Sequence, residues 1–330
     1  MSRVTAVTGA TGFLGGRLCE TLVARGEHVV AMGRDFSRFP QLDGRLCRLV
    51  AGDLGDRQAL QLALAGADAV IHAAALSTPW GRRADFVRVN VAGTEALLDA
   101  ARQAGVRRFV HVSSSSVVFD LCDRLEVVED APLPQRFLNF YPESKALAEG
   151  SVRAATDIET VIIRPRGIFG PGDVALLPRI VALARSGRLR IVGDGNNVQD
   201  LTYVDNVVEA LLLARHAPEA AGRTYFVTND EHVRLWDLIA EVLNGLGLAP
   251  PTRRVPLGAA LAFASALETL HRALPQLGEP PLTRYTVALL GCHQTLNIAA
   301  ARRDLGYSPA VGMAAAVAHT ISWFRRGAHG

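Results

Sequence analysis

Through the first half of the chain, short apolar runs alternate with segments of helical periodicity. Val4–Thr8 reads as a first strand, and Gly12–Arg25 as a helix closed by Gly26, the residue type suited to a left-handed C-terminal turn. His28–Met32, Arg48–Ala51 and Ala69–Ala73 read as the second, third and fourth strands. A long helix is predicted from about Phe86 to Ala104, with Gly105 as its stop. Arg108–Val112 is a fifth strand and flows into the run Ser113–Ser116. A helix from Tyr141 to about Ala155 precedes a strand over Thr160–Arg164, which Pro165 and the glycines at 167, 170 and 172 terminate. Strand and helix alternating in this order is the α/β signature of a doubly wound parallel sheet.

Beyond residue 170 the alternation weakens. Gly193–Asn197 reads as a loop, Val204–Ala214 as a helix and Thr224–Val227 as a returning strand, and the remainder is mostly helical. The expected division is a nucleotide-binding domain over 1–170 and 198–230, with a smaller discontinuous C-terminal cap over 171–197 and 231–330 that binds substrate.

Composition narrows the class. Hydrophobic residues make up 49% and charged ones 20%, the balance of a soluble enzyme with a substantial core. The net charge of +3 comes from scattered arginines rather than a basic stripe, which argues against a nucleic-acid partner. The four cysteines, at 19, 47, 122 and 292, have neither CxxC spacing nor histidines suitably placed for a metal. They read as reduced thiols of a cytoplasmic protein, and the strand-like N-terminus reads as lacking a signal peptide. One feature stands apart: among 35 cationic residues only Lys145 is a lysine.

The first strand runs into Thr8-Gly9-Ala10-Thr11-Gly12-Phe13-Leu14-Gly15, a GxxGxxG turn that opens a helix. In that context Gly9 permits the tight turn, Gly12 lets backbone amides approach a pyrophosphate, and Gly15 lets helix and strand pack closely. The helix N-terminus adds partial positive charge beside Thr11, Phe13 and Leu14. These features predict a Rossmann-type dinucleotide site. After the second strand, where an acid would accept the adenosine ribose hydroxyls, the chain has Gly33 and Arg34, with Ser37 and Arg38 following. A guanidinium there can bind a 2′-phosphate bidentately, so NADP(H) is preferred and NAD(H) is the alternative. Asp35 lies one step past the expected acid position. Asp53 and Leu54, after the third strand, are expected to flank the adenine, although Asp53 is equally suited to cap a helix.

Tyr141-Pro142-Glu143-Ser144-Lys145 sets a phenol and an ammonium four residues apart, on one face of the predicted helix. A surface pair at that spacing would not explain why this position alone kept its lysine. General acid–base chemistry would explain it. A cation at about 4 Å in an effective dielectric near 20 favours phenolate by about 4 kcal/mol. That is about three pKa units, enough to bring a phenol near neutrality. A third hydroxyl is expected at the carboxyl end of a neighbouring strand, where Ser113–Ser116 supply four candidates.

Together these motifs resemble the extended short-chain dehydrogenase/reductases over nearly the whole chain, from TGATGFLG through the serine run and YPESK to a late YVDN at Tyr203–Asn206. The resemblance implies a catalytic Ser114, Tyr141 and Lys145, with Ser115 as the fallback hydroxyl beside the substrate. It also implies that Ala73, Ala74 and Ala75 line the cofactor, that Asn90 supports the site, and that the loop Pro165-Arg166-Gly167-Ile168 touches the nicotinamide amide. Members of the family often dimerise through the helices placed here at 86–104 and 141–155, so a homodimer is one expectation.

Within the family, three departures count against nucleotide-sugar epimerases and dehydratases. Strand two lacks its Asp, Gln199 stands where a diphosphate-binding Arg precedes Asp200, and Ser115-Ser116 replace an Asp-Glu pair. What remains is similar to the 3β-hydroxysteroid dehydrogenase-like branch, and within it to bacterial 2-alkyl-3-oxoalkanoate reductases, on Ser77–Arg83 and Asp304–Pro309. That resemblance implies a small hydrophobic keto or hydroxy substrate, with Trp80, Phe119 and Tyr203 near it or simply packed in the core. Val255–Leu267, with Leu257, Leu261 and Phe263, reads as a lid over such a substrate or as a plain core helix, with peripheral membrane contact a distant third. A protein that binds NADP(H) without turnover is the reading from a different functional class.

Overall fold

The structure is a computed structural model, and it describes residues 4–37, 39–42 and 44–327. Arg38 lies outside the described residues. Seven strands form one wholly parallel sheet: β1 (Val4–Thr8), β2 (His28–Gly33), β3 (Cys47–Ala51), β4 (Ala69–His72), β5 (Arg108–Val112), β6 (Glu159–Pro165) and β7 (Arg223–Val227). Their spatial order is β7-β6-β5-β4-β1-β2-β3. The chain therefore winds outward from β1 in one direction and then in the other. The crevice at the carboxyl ends of β1 and β4 is the switch point where such sheets bind ligands.

Alternate residues of the strands feed two separate cores. Val7, Val29, Ala31, Val110 and Ile163 face one side, covered by α1 (Phe13–Ala24) and α5 (Val204–His216). Ala6, Val30, Met32, Phe109 and Ile162 face the other, covered by α2 (Arg57–Leu64), α3 (Gly93–Gln103) and α4 (Phe140–Ala154). Burial on both faces explains why these strands read as continuous apolar runs instead of alternating ones.

The helix predicted over 86–104 is broken into three parts. A turn at Arg83–Phe86 leads into a π-helical segment, Val87–Ala92, and only then into α3. Its apolar spacing cannot register one widened turn. Where α3 begins, Leu54 packs so closely that a Cβ on Gly93 would stand 2.8 Å from its side chain.

The cap has its own core of Phe169, Leu177, Ile180, Leu235, Trp236, Ile239, Ala264 and Val317. These come mainly from the helices Leu177–Arg185, Leu235–Gly245, Leu257–Ala273 and Met313–Gly327. The uncharged segment is thus a cap helix with Ala260 and Ala264 buried, while Phe263 points outward. A small sheet of Val233–Arg234, Val198–Gln199, Gln294–Leu296 and Arg124–Val127 joins cap to core. One stretch departs from the division drawn at 231–330. Leu296, Ile298, Ala301, Leu305 and Tyr307 pack into the nucleotide-binding core beside β7. Among the described residues, no helix is long and apolar enough to cross a membrane, and no cluster of metal-ligating side chains is found.

Candidate active site

The turn after β1 is shaped by three close approaches. Gly9 has φ +74°, and a Cβ there would lie 2.6 Å from the Ala74 nitrogen. A Cβ on Gly15 would lie 2.1 Å from the Gly9 carbonyl oxygen, and one on Gly12 3.2 Å from the same atom. The first turn of α1 carries no acidic residue and no side-chain cap, so its positive end faces the crevice uncompensated. A backbone cradle of this kind fits a dinucleotide pyrophosphate. Thr11 sits against Gly33, where a Cβ would come within 2.5 Å of its methyl group.

Around the cradle, Arg34 is exposed at the end of β2, and Asp35 turns away to accept from the Ser37 amide at 2.9 Å. Asp53 accepts from the Gly55 amide at 2.7 Å, while the cap of α2 is Asp56, which accepts from Ala59 at 3.0 Å. Leu54 is buried on α3. Ala73 and Ala74 are half-buried and Ala75 exposed. Pro165 is buried at the end of β6, and Gly167 (φ +47°) and Ile168 follow it half-buried. Asn90 is fully buried on the π-helical turn. Its Oδ1 accepts from the Leu76 amide at 2.7 Å, and its Nδ2 donates to the Leu76 carbonyl at 3.1 Å and to Ser144 Oγ at 2.9 Å. It thereby ties the loop after β4 to the first turns of α4.

Asn139 caps α4, accepting from the Tyr141 amide at 3.0 Å and donating to the Pro79 carbonyl at 2.9 Å. Pro142 fits that first turn because its missing N–H has no helical partner to lose. The cap places Tyr141 so that its phenol and the Ser114 side chain at the end of β5 act on one another. Ser114 Oγ lies 2.9 Å from Ser116 Oγ, and the Tyr285 phenol of the cap is acted on in turn by Ser116. The bonded Ser114–Ser116 pair thus stands between two phenols, Tyr141 and Tyr285. The remaining serines are placed differently. Ser113 donates to Glu149 at 2.5 Å, and that carboxylate is also held by both ends of the Arg164 fork at 2.8 and 2.7 Å. Ser115 is buried in a short 3₁₀ turn.

Lys145 is buried one turn along, and its ammonium donates to the Val112 carbonyl at 2.6 Å, with His111 Nε2 at 3.4 Å. Burial lowers the lysine to about 8, opposed by the Glu149 charge. The Tyr141 phenol is pushed well above its ordinary value by burial and then by the Tyr285 phenol, against the Ser114 hydrogen bond. This corrects the expectation of a phenol drawn down about three units by its neighbour. The ammonium is turned to the main chain of β5, and desolvation dominates. Beneath it lie His72, lowered to about 3, and His111, also held well below its ordinary value, both by burial first and then by Lys145.

The three aromatic candidates for the substrate site are dispersed. Phe119 lies under the Arg166 guanidinium at 4.9 Å, close to Tyr285. Trp80 lies under Arg272 of the cap at 5.5 Å. Tyr203 packs edge-on against Phe169 at 5.9 Å, on a separate cleft lined by Phe13, Arg17 and His319.

Sequence reasoning missed Tyr285 and Gln294, and placed Arg166 only in the loop expected at the nicotinamide amide. Arg166 Nη2 donates to the side-chain oxygens of both Gln199 and Gln294. The position before Asp200 therefore lacks an arginine in sequence but meets one in space, which weakens the missing charge as an argument about substrate. Arg166 stood inside the stretch 165–168 that had been singled out, whereas Tyr285 and Gln294 belong to no motif.

The profile of the 3-beta hydroxysteroid dehydrogenase/isomerase family matches residues 6–257. The 2-alkyl-3-oxoalkanoate reductase of Stenotrophomonas maltophilia is 39% identical, over 93% of this chain and 95% of its own length. The mouse sterol-4-alpha-carboxylate 3-dehydrogenase, decarboxylating, is 34% identical, over 96% of this chain and 90% of its own. Among solved structures, a double mutant of dTDP-glucose 4,6-dehydratase from Streptomyces venezuelae, with NAD bound, superposes with a TM-score of 0.78 at 27% identity and 98% coverage of both chains.

Proposed function

The chain belongs to the 3-beta hydroxysteroid dehydrogenase/isomerase family, within the extended short-chain NAD(P)-dependent oxidoreductases, and from that premise we propose that it interconverts a ketone and a secondary alcohol on a small hydrophobic substrate of β-keto acid or 3β-hydroxysteroid type. The observation that carries this reading is the grouping of Tyr141, Ser114 and the buried Lys145, whose ammonium is anchored to the Val112 carbonyl, beside the glycine cradle at the switch point.

The residues fitted to hold the dinucleotide are Gly9, Thr11, Gly12, Phe13, Leu14 and Gly15 at the pyrophosphate, Arg34, Asp53 and Leu54 at the adenosine end, and Ala73–Ala75, Asn90, Tyr141, Lys145, Pro165, Gly167 and Ile168 toward the nicotinamide. When bound, the dinucleotide supplies or accepts the hydride. Ser114 Oγ donates to the substrate carbonyl oxygen and withdraws charge from its carbon. Tyr141 Oη delivers the proton to that oxygen. A phenol held up by burial is protonated at neutral pH, which suits the reductive direction. The Lys145 ammonium keeps positive potential beside the site and is available to ribose hydroxyls. The exposed Arg34 supports NADP(H) over NAD(H), and the reduced-thiol composition supports a cytoplasmic location.

The test is turnover of a ketone panel with NADPH and NADH, followed by nicotinamide absorbance. β-Keto acids or ketosteroids are expected to react. Cofactor binding with no rate on any ketone would favour the non-catalytic sensor. Epimerised or dehydrated UDP- or dTDP-sugars would favour the nucleotide-sugar reading, which the likeness to the dehydratase keeps in view.

A further inference from the structure

Four arginines are buried among the described residues: Arg108, Arg164, Arg166 and Arg215. Three have a carboxylate in contact, Glu159 at 2.8 Å, Glu149 at 2.7 Å and Glu27 at 2.7 Å respectively. Arg166 alone has no ion-pair contact. Its Nη2 is held by two neutral amide oxygens and its Nε has no partner. The nearby Asp200 carboxylate is committed elsewhere, to His232 at 2.6 Å and the Leu296 amide at 2.7 Å. Asp200 therefore acts on Arg166 only from a distance, and a buried cation without a direct ion-pair partner is costly, so an acceptor-only group would complete it. A second orphan donor, Gln294 Nε2, belongs to the amide whose oxygen Arg166 holds.

Two neighbours say what that group is attached to. On one side, the Arg166 guanidinium lies 4.9 Å over Phe119, which closes the short turn that Ser114 opens, and it also acts electrostatically on the Tyr285 phenol. An anion on Arg166 would therefore sit beside the reacting carbonyl. On the other side, Arg166 and Gln199 form the polar end of a partly open cavity of about 70 Å³ whose walls are otherwise apolar, among them Leu177, Ile180, Leu238 and Leu289. That is room for the first few carbons of an alkyl chain and has no partner for a polar one.

We propose that Arg166, Gln294 and Tyr285 form a carboxylate-binding head site next to the Ser114–Tyr141 pair, and that the apolar cavity behind Arg166 takes an alkyl chain of the same molecule. The substrate is then an alkyl-bearing β-keto acid and not a neutral steroid. This rests on the ketone–alcohol reading above and adds the residues that choose among its substrates.

The experiment compares kcat/KM for a β-keto acid and its methyl ester in the parent, Arg166→Gln, Arg166→Lys, Tyr285→Phe and Leu238→Phe enzymes, with calorimetric binding of decanoate and of UDP alongside. The parent is expected to prefer the acid by about a hundredfold, the scale of a buried charge pair losing one partner. Arg166→Gln should erase that ratio mainly through KM, and Arg166→Lys should restore part of it. Tyr285→Phe should diminish the ratio, and Leu238→Phe should shorten the preferred chain while leaving the ratio alone. A role confined to holding Gln199 and Gln294 together would change acid and ester equally. Equal rates on acid and ester in the parent, or an unchanged ratio in Arg166→Gln, would overturn the proposal. So would tighter binding of UDP than of decanoate. If Arg166→Gln does not fold, the parent ratio and decanoate binding to parent and Tyr285→Phe decide. Absence of turnover on every ketone, with decanoate still bound and lost in Tyr285→Phe, would sink the ketone–alcohol reading and leave the head site standing.

Discussion

The Lys145 ammonium donates to the Val112 carbonyl oxygen at 2.6 Å, so the only lysine of the chain is anchored to the end of the strand that leads into Ser114. Fixed there, it is buried against two neutral histidines and holds its proton only to about pH 8.

Replacing it therefore separates charge from geometry. Lys145→Arg keeps the charge but brings a longer, planar fork. The variant is expected to fold and to lose about a hundredfold or more in turnover, as for a group misplaced by roughly 1 Å. A lowered lysine pKa means that the charge is lost as pH rises through about 8 instead of near the ordinary 10.5. The parent kcat/KM should accordingly fall on that basic limb, and the limb should move upward in Lys145→Arg. Tyr141→Phe should lose as much or more, and the double variant should be little worse than either. Turnover of Lys145→Arg within threefold of the parent would refute the assignment.

Cofactor choice is expected to rest on Arg34, exposed at the end of β2, with Asp35 bonded to the Ser37 amide. NADPH should bind at least about tenfold tighter than NADH, about 1.4 kcal/mol, and Arg34→Ala should remove most of the difference. Equal dissociation constants in the parent, by fluorescence titration, would dispose of this idea.

The cradle has no slack at Gly15. Gly15→Ala would bring a methyl group to 2.1 Å from the Gly9 carbonyl oxygen, and backbone must move to relieve it. A loss of about 1–3 kcal/mol in stability is expected, as for overpacking elsewhere, together with weakened dinucleotide binding. Gly26→Ala is the contrast, because its Cβ would meet nothing within 4 Å and only the φ of +76° is unfavourable. It should cost about 1–2 kcal/mol in stability and leave cofactor affinity unchanged. Chemical denaturation and cofactor titration of both variants check this pair.

Acid sensitivity follows from His72, held neutral by burial between the Thr8 and Thr94 hydroxyls at 2.7 and 3.0 Å. Its folded value of about 3 lies below the ordinary 6.5, so the unfolded chain binds more protons between those limits. Stability therefore falls as pH drops from about 6.5 toward 3, by at most about 1.4 kcal/mol per pH unit for this group. His111 adds in the same direction. His72→Gln should flatten the fall of Tm with pH in that window, and an unchanged slope would count against the buried neutral imidazole.

What could be read along the chain was whatever depends on near neighbours. The strands of the sheet follow from apolar runs buried on both faces, the cradle glycines from one βαβ turn, and the Tyr141–Lys145 spacing from the helical repeat. The π-helical turn before α3 was not legible, because a single widened turn leaves no distinct mark in the apolar spacing.

The sequence by itself determined that a glycine turn of the kind that fits a dinucleotide opens at Gly9 and that a phenol and the sole ammonium share one face of α4. Both are set by backbone geometry over a few residues. It could not choose among four consecutive serines, because their hydroxyls differ only in what they meet: Glu149 for Ser113, and one another for Ser114 and Ser116, which act on the Tyr141 and Tyr285 phenols respectively. Nor could it show that Arg166 meets Gln199 and Gln294, residues 33 and 128 positions away, without a carboxylate. Those contacts, and the direction in which burial drives the Tyr141 phenol, are long-range consequences of desolvation, and only the assembled tertiary structure decides them.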